Sequence, residues 1–371
     1  MINRDRLVNE FFKLVAIDSV SFKERKMADV LKAYLKELGF TVYEDDAGEI
    51  YHGNAGNVYG YLPGELEGEP ILLSAHMDTV EPGLSKRAVL QEDGRITSEG
   101  NTILGADDLS GVVSILEAIR SIREQGIKHR SIEVLFPIAE EVYIRGSEVF
   151  DYSRIKAKEA YVLDLSGPIG TAAIQAPTLV SFTAKFIGKA AHAGFAPETG
   201  IHAISMAAQA ITSIKQGRIN HETTVNIGTI EGGLAKNIIP KHCIISGEVR
   251  CLDHEGALRH MEEIKEAIYK AAAEYMGRVE VETSFGCIAY DIDRNHRVVR
   301  RYEKACVELD IPVNFVKTFG GSDNNNFVKN GIKGIVIACG MNEVHSTNEY
   351  THVEDLEKCS KIVYKLLTRS Y

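Results

Sequence analysis

Side chains of the types that bind metals follow several apolar runs of this chain, at the point where each run ends. The run Ile71-Leu72-Leu73 leads into the segment SAHMDTV, which contains His76 and Asp78. Short apolar runs of this kind are typical of buried strands, and residues two apart on an extended chain point the same way. We therefore expect His76 and Asp78 to face one site, the imidazole as ligand or base and the carboxylate as its orienter.

The same pattern recurs further along the chain. Apolar runs at 132–136, 160–163 and 334–338 lead to polar residues, and the segment GADDLSG precedes a helical pattern over about 109–123. In open α/β sheets, functional groups gather outside the carboxyl ends of the strands. The side chains that these segments would deliver to one rim of a sheet are His76, Asp107, Asp108, Glu140, Glu141, Asp164 and His345.

Composition narrows the class of protein. The formal net charge of −10 argues against non-specific binding of nucleic acid, which needs a basic surface. The charged N-terminal segment lacks the apolar core of a signal peptide, and no uncharged apolar stretch reaches membrane-spanning length. The six cysteines have no CxxC spacing, which is typical of reduced, mostly buried thiols. We expect a cytoplasmic protein that binds neither nucleic acid nor membrane.

The order of elements predicts two domains. Helical patterns at 4–15 and 23–38, followed by alternating strands and helices, indicate an α/β domain with a mainly parallel sheet and helices on both faces. Near Pro177 the pattern changes to β-α-β-β-α-β, a ferredoxin-like α+β layout. The predicted domains are therefore a discontinuous catalytic domain, 1–177 and 289–371, and an inserted domain, 178–288.

The clustered residue types indicate metal chemistry. Two histidines with several carboxylates suit divalent cations such as Zn, Mn or Co. Two cations that share a bridging carboxylate would use this set fully, and such pairs activate a water for hydrolysis. Asp107 suits the bridge because it begins a helix, although a helix N-cap is the commoner role for such a residue. Glu140 and Glu141 are adjacent, so one can bind metal while the other remains free as a general base.

The combined motifs resemble the di-zinc exopeptidase and amidohydrolase family, which includes peptidase T, glutamate carboxypeptidase, aminoacylase and acetylornithine deacetylase. The match is strongest to the peptidase T branch and covers essentially the whole chain, including the inserted domain. The motifs that carry the resemblance are SAHMDT, LGADDLSG, PIAEEVYIRGS, VLDLSGPIG, AAHAGFAPETGIHAI, GGLAKNIIP, SGEVRCLD, GGSDNNNF and VHSTNE.

The resemblance implies two bound divalent cations, with zinc expected and manganese or cobalt as alternatives. The matching positions give one cation the ligands His76, Asp107 and Asp164, and the other the ligands Asp107, Glu141 and His345. They also make Glu140 the general base and Asp78 the partner that orients His76. A cis peptide between Asp107 and Asp108 is implied as well.

For the inserted domain, the resemblance implies a lid that also forms a homodimer. His192 matches a histidine that reaches the active site of a neighbouring subunit and polarises the scissile carbonyl. Asn237 and Arg250 match substrate-binding positions, and an arginine fork suits a free carboxylate.

The leading functional hypothesis is a metal-dependent aminopeptidase that acts on short peptides. The same chemistry would serve a related amidohydrolase, either an N-acyl amino acid deacylase or a carboxypeptidase, and the fold does not choose among them. A non-catalytic binding protein would have a damaged ligand set or lack the base. Here every implied ligand and Glu140 are present, which favours an enzyme.

Overall fold

The computed structural model describes residues 2–369. The α-helices are α1 (Arg4–Val15), α2 (Arg25–Glu37), α3 (Ala47–Ile50), α4 (Ala106–Gln125), α5 (Arg145–Glu148), α6 (Ala203–Ser213), α7 (His254–Glu274), α8 (Arg297–Val307), α9 (Asp323–Lys329) and α10 (Val353–Thr368). The strands are β1 (Thr41–Glu44), β2 (Val58–Leu62), β3 (Ile71–Ser74), β4 (Ala88–Leu90), β5 (Arg95–Ser98), β6 (Ile132–Phe136), β7 (Glu159–Leu165), β8 (Thr171–Ala176), β9 (Thr178–Ile187), β10 (Gly217–Arg218), β11 (Thr223–Gly232), β12 (His242–Cys251), β13 (Arg278–Cys287), β14 (Tyr290–Asp291), β15 (Asn314–Lys317), β16 (Lys333–Ala338) and β17 (Tyr350–His352).

The chain divides into two compact units. The larger unit comprises the chain up to Gln175, Asp291–Thr318 and the chain from Ser322 onward. The smaller unit comprises Ala176–Tyr290 and Phe319–Gly321.

The larger unit is built on a nine-stranded sheet with the order β1-β2-β6-β3-β7-β16-β8-β14, in which β15 also pairs with β8. Its central strands β6, β3, β7 and β16 run parallel to one another. The pairs β1–β2 and β2–β6 on one side, and β16–β8 on the other, are antiparallel. Helices α2, α4, α8 and α9 pack against strands of this sheet. The α/β class with a mainly parallel sheet is thereby confirmed.

Two of the central strands, β3 and β6, are buried along their whole length, which explains their mainly apolar sequences. Strand β3 (ILLS) and strand β6 (IEVLF) have no exposed residue. Parallel strands covered on both faces require such runs, because neither face meets water. The candidate ligands lie at the carboxyl ends of these parallel strands: Asp164 within the end of β7, and the others in loops or at the helix start that follow β3, β6 and β16.

The region between β3 and α4 departs from the predicted alternation. Strands β4, β5 and β17 form a separate three-stranded antiparallel sheet. The hairpin between β4 and β5 turns at Asp93-Gly94, where Gly94 has φ +84, a conformation that favours glycine. This short hairpin takes the place of a further parallel strand.

The smaller unit has the predicted ferredoxin-like layout. Its antiparallel sheet has the order β10-β11-β12-β9-β13, with α6 between β9 and β11 and α7 between β12 and β13. Apolar residues such as Phe182, Phe186 and Ile245 face a core covered by both helices. Helix α6 begins at Ala203, after a 3-10 turn at Pro197–Thr199, and His202 supplies its N-cap.

Among the described residues, no helix combines the length and the apolar character needed to cross a bilayer. All six cysteines are free and buried, as the sequence predicts: Cys243, Cys251, Cys287, Cys306, Cys339 and Cys359.

Candidate active site

His76 lies two residues after the end of β3, with its imidazole only 1% exposed. Its Nδ1 lies 3.0 Å from the backbone carbonyl oxygen of Asp78 and 3.4 Å from the Asp78 carboxylate. Two acceptors at Nδ1 assign the proton to that nitrogen. Nε2 lies 3.0 Å from Oδ1 of Asp107 and is the atom of His76 that is available as a ligand.

Asp107 lies between two histidines at the start of α4. Its Oδ1 faces His76, and its Oδ2 lies 3.3 Å from Nε2 of His345. His345 also approaches Oε2 of Glu141 at 2.9 Å. Hydrogen bonding to Asp107 and Glu141 raises the pKa of His345 to about 10. Burial works to raise the pKa of Asp107, but hydrogen bonds with His345 and His76 hold it below its ordinary value.

Glu140 and Asp164 form a second group of potential ligands with His76. One ligand atom from each of these three residues falls within 4.8 Å of the others, and the same holds for His76, Asp107 and Glu141. Asp164 is within the final residues of β7 rather than after it. Burial, followed by the charge of Asp164, raises the pKa of Glu140 well above its ordinary value. Carboxylates packed this closely favour an added positive charge.

The donor set fits divalent cations. Oε1 of Glu141 is buried and has no hydrogen-bond partner among the described residues, whereas Oε2 faces His345. A buried carboxylate oxygen without a partner is costly unless a proton or a cation satisfies it. Imidazole nitrogens and carboxylate oxygens within a few ångströms of one another are the ligands that Zn, Mn and Co take in proteins.

Asp78 does more than the expected orientation of His76. Its Oδ1 accepts the backbone N–H of Glu140 at 2.9 Å, and its Oδ2 accepts the backbone N–H of Glu141 at 3.3 Å. Ser21 donates its hydroxyl to the same Oδ2 at 2.7 Å. One buried carboxylate therefore holds the loop that presents both glutamates.

The peptide between Asp107 and Asp108 is cis, as the resemblance implies. Asp108 itself points to backbone groups: its Oδ2 accepts the N–H of His76 at 3.1 Å and its Oδ1 accepts the N–H of Gly111 at 3.3 Å. Asp108 therefore supports the loops of the site, although the sequence pattern counts it among the rim residues.

Sequence reasoning missed Glu24 and Ser21. Glu24 is fully buried and accepts the backbone N–H of Phe22 at 2.7 Å and of Ala139 at 3.1 Å. Burial, and then the charge of Asp78, raises the pKa of Glu24 to about 7. The spacing Ser21-x-x-Glu24 before a helix is a capping-box pattern, so a local interpretation would assign both residues to the helix start. The structure directs both side chains to the loops of the site.

Two further buried acids were also missed. Asp323, in the GGSDNNNF motif, accepts the hydroxyl of Ser147 at 2.5 Å, and burial raises the pKa of Asp323 to about 6. Glu349, four residues after His345, accepts backbone N–H groups at the start of α4. The VHSTNE motif contained Glu349, but no local pattern distinguishes it from a solvent-exposed acid.

His192, in the smaller unit, is exposed and presents one polar atom to solvent. Its Nδ1 accepts the backbone N–H groups of Gly194 at 3.1 Å and Phe195 at 3.2 Å. The proton of the neutral ring therefore resides on Nε2. The ring stacks on Phe195, with centroids 4.2 Å apart and planes 20° apart, and the phenyl group is 86% exposed.

Asn237 and Arg250 also belong to the smaller unit. The carbonyl oxygen of Asn237 accepts the N–H of Ala193 at 3.0 Å, so the segment that carries Asn237 pairs with the segment that carries His192. On β12, the Nε of Arg250 donates to Glu248 at 2.7 Å and its Nη1 donates to the carbonyl of Phe319 at 2.9 Å. These bonds fix the plane of the guanidinium.

Three family models match parts of the chain: the peptidase dimerisation domain at residues 175–276, peptidase family M28 at residues 57–210, and M42 glutamyl aminopeptidase at residues 289–362. An uncharacterised protein of Bacillus subtilis is 37% identical over 99% of this chain and 99% of its own length. Peptidase T of Fusobacterium nucleatum is 27% identical over 93% of this chain and 90% of its own length.

Solved structures agree over nearly the whole length. The crystal structure of aminopeptidase PepT from Bacillus cereus is 38% identical, with a TM-score of 0.93 over 99% of this chain and 98% of that one. A tripeptidase from Staphylococcus aureus is 33% identical, with a TM-score of 0.97 over the same shares. The chain belongs to the peptidase T-like branch of the M20 peptidase family. The predicted resemblance is confirmed, and this peptidase T-like chain is a metal-dependent peptidase.

Proposed function

We propose that this chain is a two-metal aminopeptidase for short peptides, with Glu140 as the general base. The observation that carries the proposal is the position of Asp107, whose two carboxylate oxygens face different histidines, His76 at 3.0 Å and His345 at 3.3 Å. A carboxylate shared in this way is the bridge that a two-cation site requires. The aminopeptidase and tripeptidase among its relatives support the substrate class.

The residues divide into two ligand sets. His76, Asp107 and Asp164 would hold one cation, and Asp107, Glu141 and His345 would hold the other. When bound, such a pair generates a nucleophile from water at neutral pH and polarises the carbonyl under attack. Zinc is the expected metal, with manganese or cobalt as alternatives, since both use the same oxygen and imidazole donors.

Glu140 moves the proton. Its carboxylate takes a proton from the attacking water and returns it to the leaving amine nitrogen. The N–H···O bond of 2.9 Å from its own backbone to Asp78 fixes the start of its side chain, so the carboxylate needs little reorganisation. Asp78 keeps the proton of His76 on Nδ1 and leaves Nε2 free to bind metal.

The smaller unit supplies substrate contacts. His192 presents Nε2–H as a donor for the carbonyl oxygen of the scissile bond, in the active site of the partner in a homodimer formed through this unit. Asn237 and Arg250 bind the substrate backbone and its free carboxylate. The match of residues 175–276 to a peptidase dimerisation domain supports the dimer.

A substrate panel tests the proposal. Matched dipeptides, tripeptides, N-acylated tripeptides and N-acyl amino acids would be incubated with metal-stripped enzyme, with and without added Zn, Mn or Co. We expect metal-dependent release of the N-terminal residue from peptides with a free amino group. Preferential cleavage of the N-acyl amino acids would instead favour an amidohydrolase, and activity that needs no metal would contradict the two-metal site.

A further inference from the structure

The carboxylate of Glu349 is buried and bound entirely to backbone N–H groups. It is 1% exposed. Its Oε2 accepts the N–H of Leu104 at 2.8 Å and of Gly105 at 2.7 Å, and its Oε1 accepts the N–H of Asp107 at 2.9 Å. Both oxygens are therefore committed to the one turn that leads into α4.

The entry to this turn has no N-cap side chain. Helix α4 begins at Ala106, and its N-cap residue, Gly105, has no side chain to accept a hydrogen bond. The first N–H groups of a helix need acceptors from outside the helix. Asp107 and Asp108 lie within the bounds of α4 but have non-helical backbone angles. Of the three N–H groups that Glu349 accepts, only that of Asp107 belongs to α4, and those of Leu104 and Gly105 come just before it. Glu349, more than 240 residues away in sequence, therefore binds the segment that enters α4.

The same turn presents Asp107 to the two histidines. Because the N–H of Asp107 is one of the three groups bound by Glu349, the carboxylate of Glu349 fixes where the side chain of Asp107 starts. A small rotation there would move both oxygens of Asp107 away from His76 and His345 at once. A bridging ligand that is displaced weakens both cation sites rather than one.

We propose that Glu349 is a positioning residue that sets Asp107 in its bridging orientation. The inference rests on the proposed function, since it assigns Glu349 a role in a two-cation site. Glu349 does not contact the substrate or either cation. It acts through the backbone of Asp107, and its loss lowers the affinity of the metal-free protein for both cations together.

A second buried glutamate offers a matched control. Glu133 is fully buried and accepts the N–H groups of Lys156 at 2.9 Å and Ala157 at 2.8 Å, with the hydroxyl of Tyr59 as a third donor. Glu349 and Glu133 are thus alike in burial and in the number of donors that they bind. Only Glu349 is bonded to a residue of the candidate ligand set.

The test uses Glu349→Gln and Glu133→Gln in the full-length chain. Glutamine keeps one acceptor oxygen but turns an NH₂ group toward an N–H, so each variant loses part of its bonding. Stripped protein would be titrated with Co²⁺, followed by absorbance and by calorimetry, after circular dichroism has shown that each variant is folded. We expect Glu349→Gln to bind both the first and the second Co²⁺ with an affinity about 10–100-fold lower than the wild type, the range typical of residues that orient ligands. Glu133→Gln should bind Co²⁺ as the wild type does.

Glu349→Asp serves as a second variant in case the glutamine form does not fold. Aspartate keeps the charge but is one methylene shorter, so it cannot reach all three N–H groups. We expect this variant also to bind both Co²⁺ ions more weakly. Wild-type Co²⁺ affinities in a folded Glu349 variant would overturn the inference. Failure of the wild-type chain to bind two cations would instead contradict the proposed function, so the two failures are distinguishable.

Discussion

The backbone N–H of Glu140 donates a hydrogen bond of 2.9 Å to the carboxylate of Asp78. The two residues lie on different strand ends, 62 positions apart in sequence. Asp78 follows β3 beside His76, so a single carboxylate couples the position of a proposed metal ligand to the position of the proposed base. Loss of Asp78 should therefore affect metal binding and proton transfer together.

Replacement of Glu140 by glutamine tests the base. Glu140→Gln preserves the size of the side chain and removes the proton acceptor, so kcat should fall by about 10²–10⁴-fold or more. Metal content, measured by elemental analysis, should remain at the wild-type value. Glu148→Gln is a suitable control because its side chain is 40% exposed and pairs with Arg145 at the surface.

The alternative for Glu140 is that it binds metal directly, since it shares a group of potential ligands with His76 and Asp164. If Glu140→Gln is folded but binds one cation fewer per chain, Glu140 is a metal ligand rather than the general base.

Asp78→Ala should weaken metal affinity by about 10–100-fold, as expected for a residue that orients a ligand. It should also lower kcat at saturating metal, because the N–H groups of Glu140 and Glu141 lose their acceptor. Competition with a chelator measures the affinity. Asp253→Ala is the control: it removes the N-cap of α7 in the smaller unit and should reduce stability by about 1 kcal/mol without changing metal affinity. An Asp78 oxygen within about 2.2 Å of a metal ion would contradict its indirect role.

The clustering of the candidate site residues was predictable because its signal is local. A buried strand followed at once by histidine or a carboxylate can be recognised within ten residues, as at His76 and Glu140, and parallel strands bring such ends to one edge. The supporting contacts carry no comparable signal. Glu24 binds the N–H of Ala139 across 115 positions, and Glu349 binds that of Asp107 across 242. Backbone N–H groups are the same in every residue, so nothing in the sequence marks which of them a distant carboxylate will meet.

In the fold, too, long elements were predictable from the sequence and short ones were not. The ferredoxin-like order of the smaller unit follows from periodicity, which the long strands β9, β12 and β13 display over ten residues each. The small sheet of β4, β5 and β17 joins segments of three or four residues from distant parts of the chain. Such short strands are defined by their pairing rather than by their own sequence.

Arg250→Ala should weaken the binding of peptides that have a free C-terminal carboxylate. A charge-assisted hydrogen bond contributes about 1.5–3 kcal/mol, which corresponds to roughly a tenfold to hundredfold rise in KM. For peptides with a C-terminal amide, KM should rise much less, because they present no charge to the guanidinium. Steady-state kinetics on the paired substrates gives the comparison. If KM rises equally for the two substrates, Arg250 stabilises the segment at Phe319 and does not bind the substrate carboxylate.

Lys86 should make stability depend on pH. The ammonium is buried and donates to the carbonyls of Ile17 and Gly83, and burial lowers its pKa from 10.5 to about 8. The folded chain therefore binds this proton more weakly than the unfolded chain does. The cost of burying the charge is complete below pH 8 and disappears as the pH rises from 8 to 10.5.

Comparison with Lys86→Met isolates this effect. Urea unfolding at several pH values should find that the wild type gains stability relative to Lys86→Met, by up to about 3 kcal/mol between pH 8 and 10.5. Lys86→Arg, which stays charged over this range, should show no such gain. Parallel stability curves for wild type and Lys86→Met would mean that the ammonium is solvated in the folded protein.

His192 is predicted to act in the active site of the partner subunit. Its Nδ1 is occupied by the N–H groups of Gly194 and Phe195, so only Nε2–H is available to a substrate. His192→Ala should lose turnover while both cations and the dimer are retained, as measured by elemental analysis and sedimentation. Mixing this variant with Glu140→Gln then gives the sharper test. After subunit exchange, one site of each heterodimer combines an intact Glu140 with an intact His192 from its partner, and part of the activity should return. Confirmed heterodimers without recovery would assign His192 to the active site of its own subunit or remove it from catalysis.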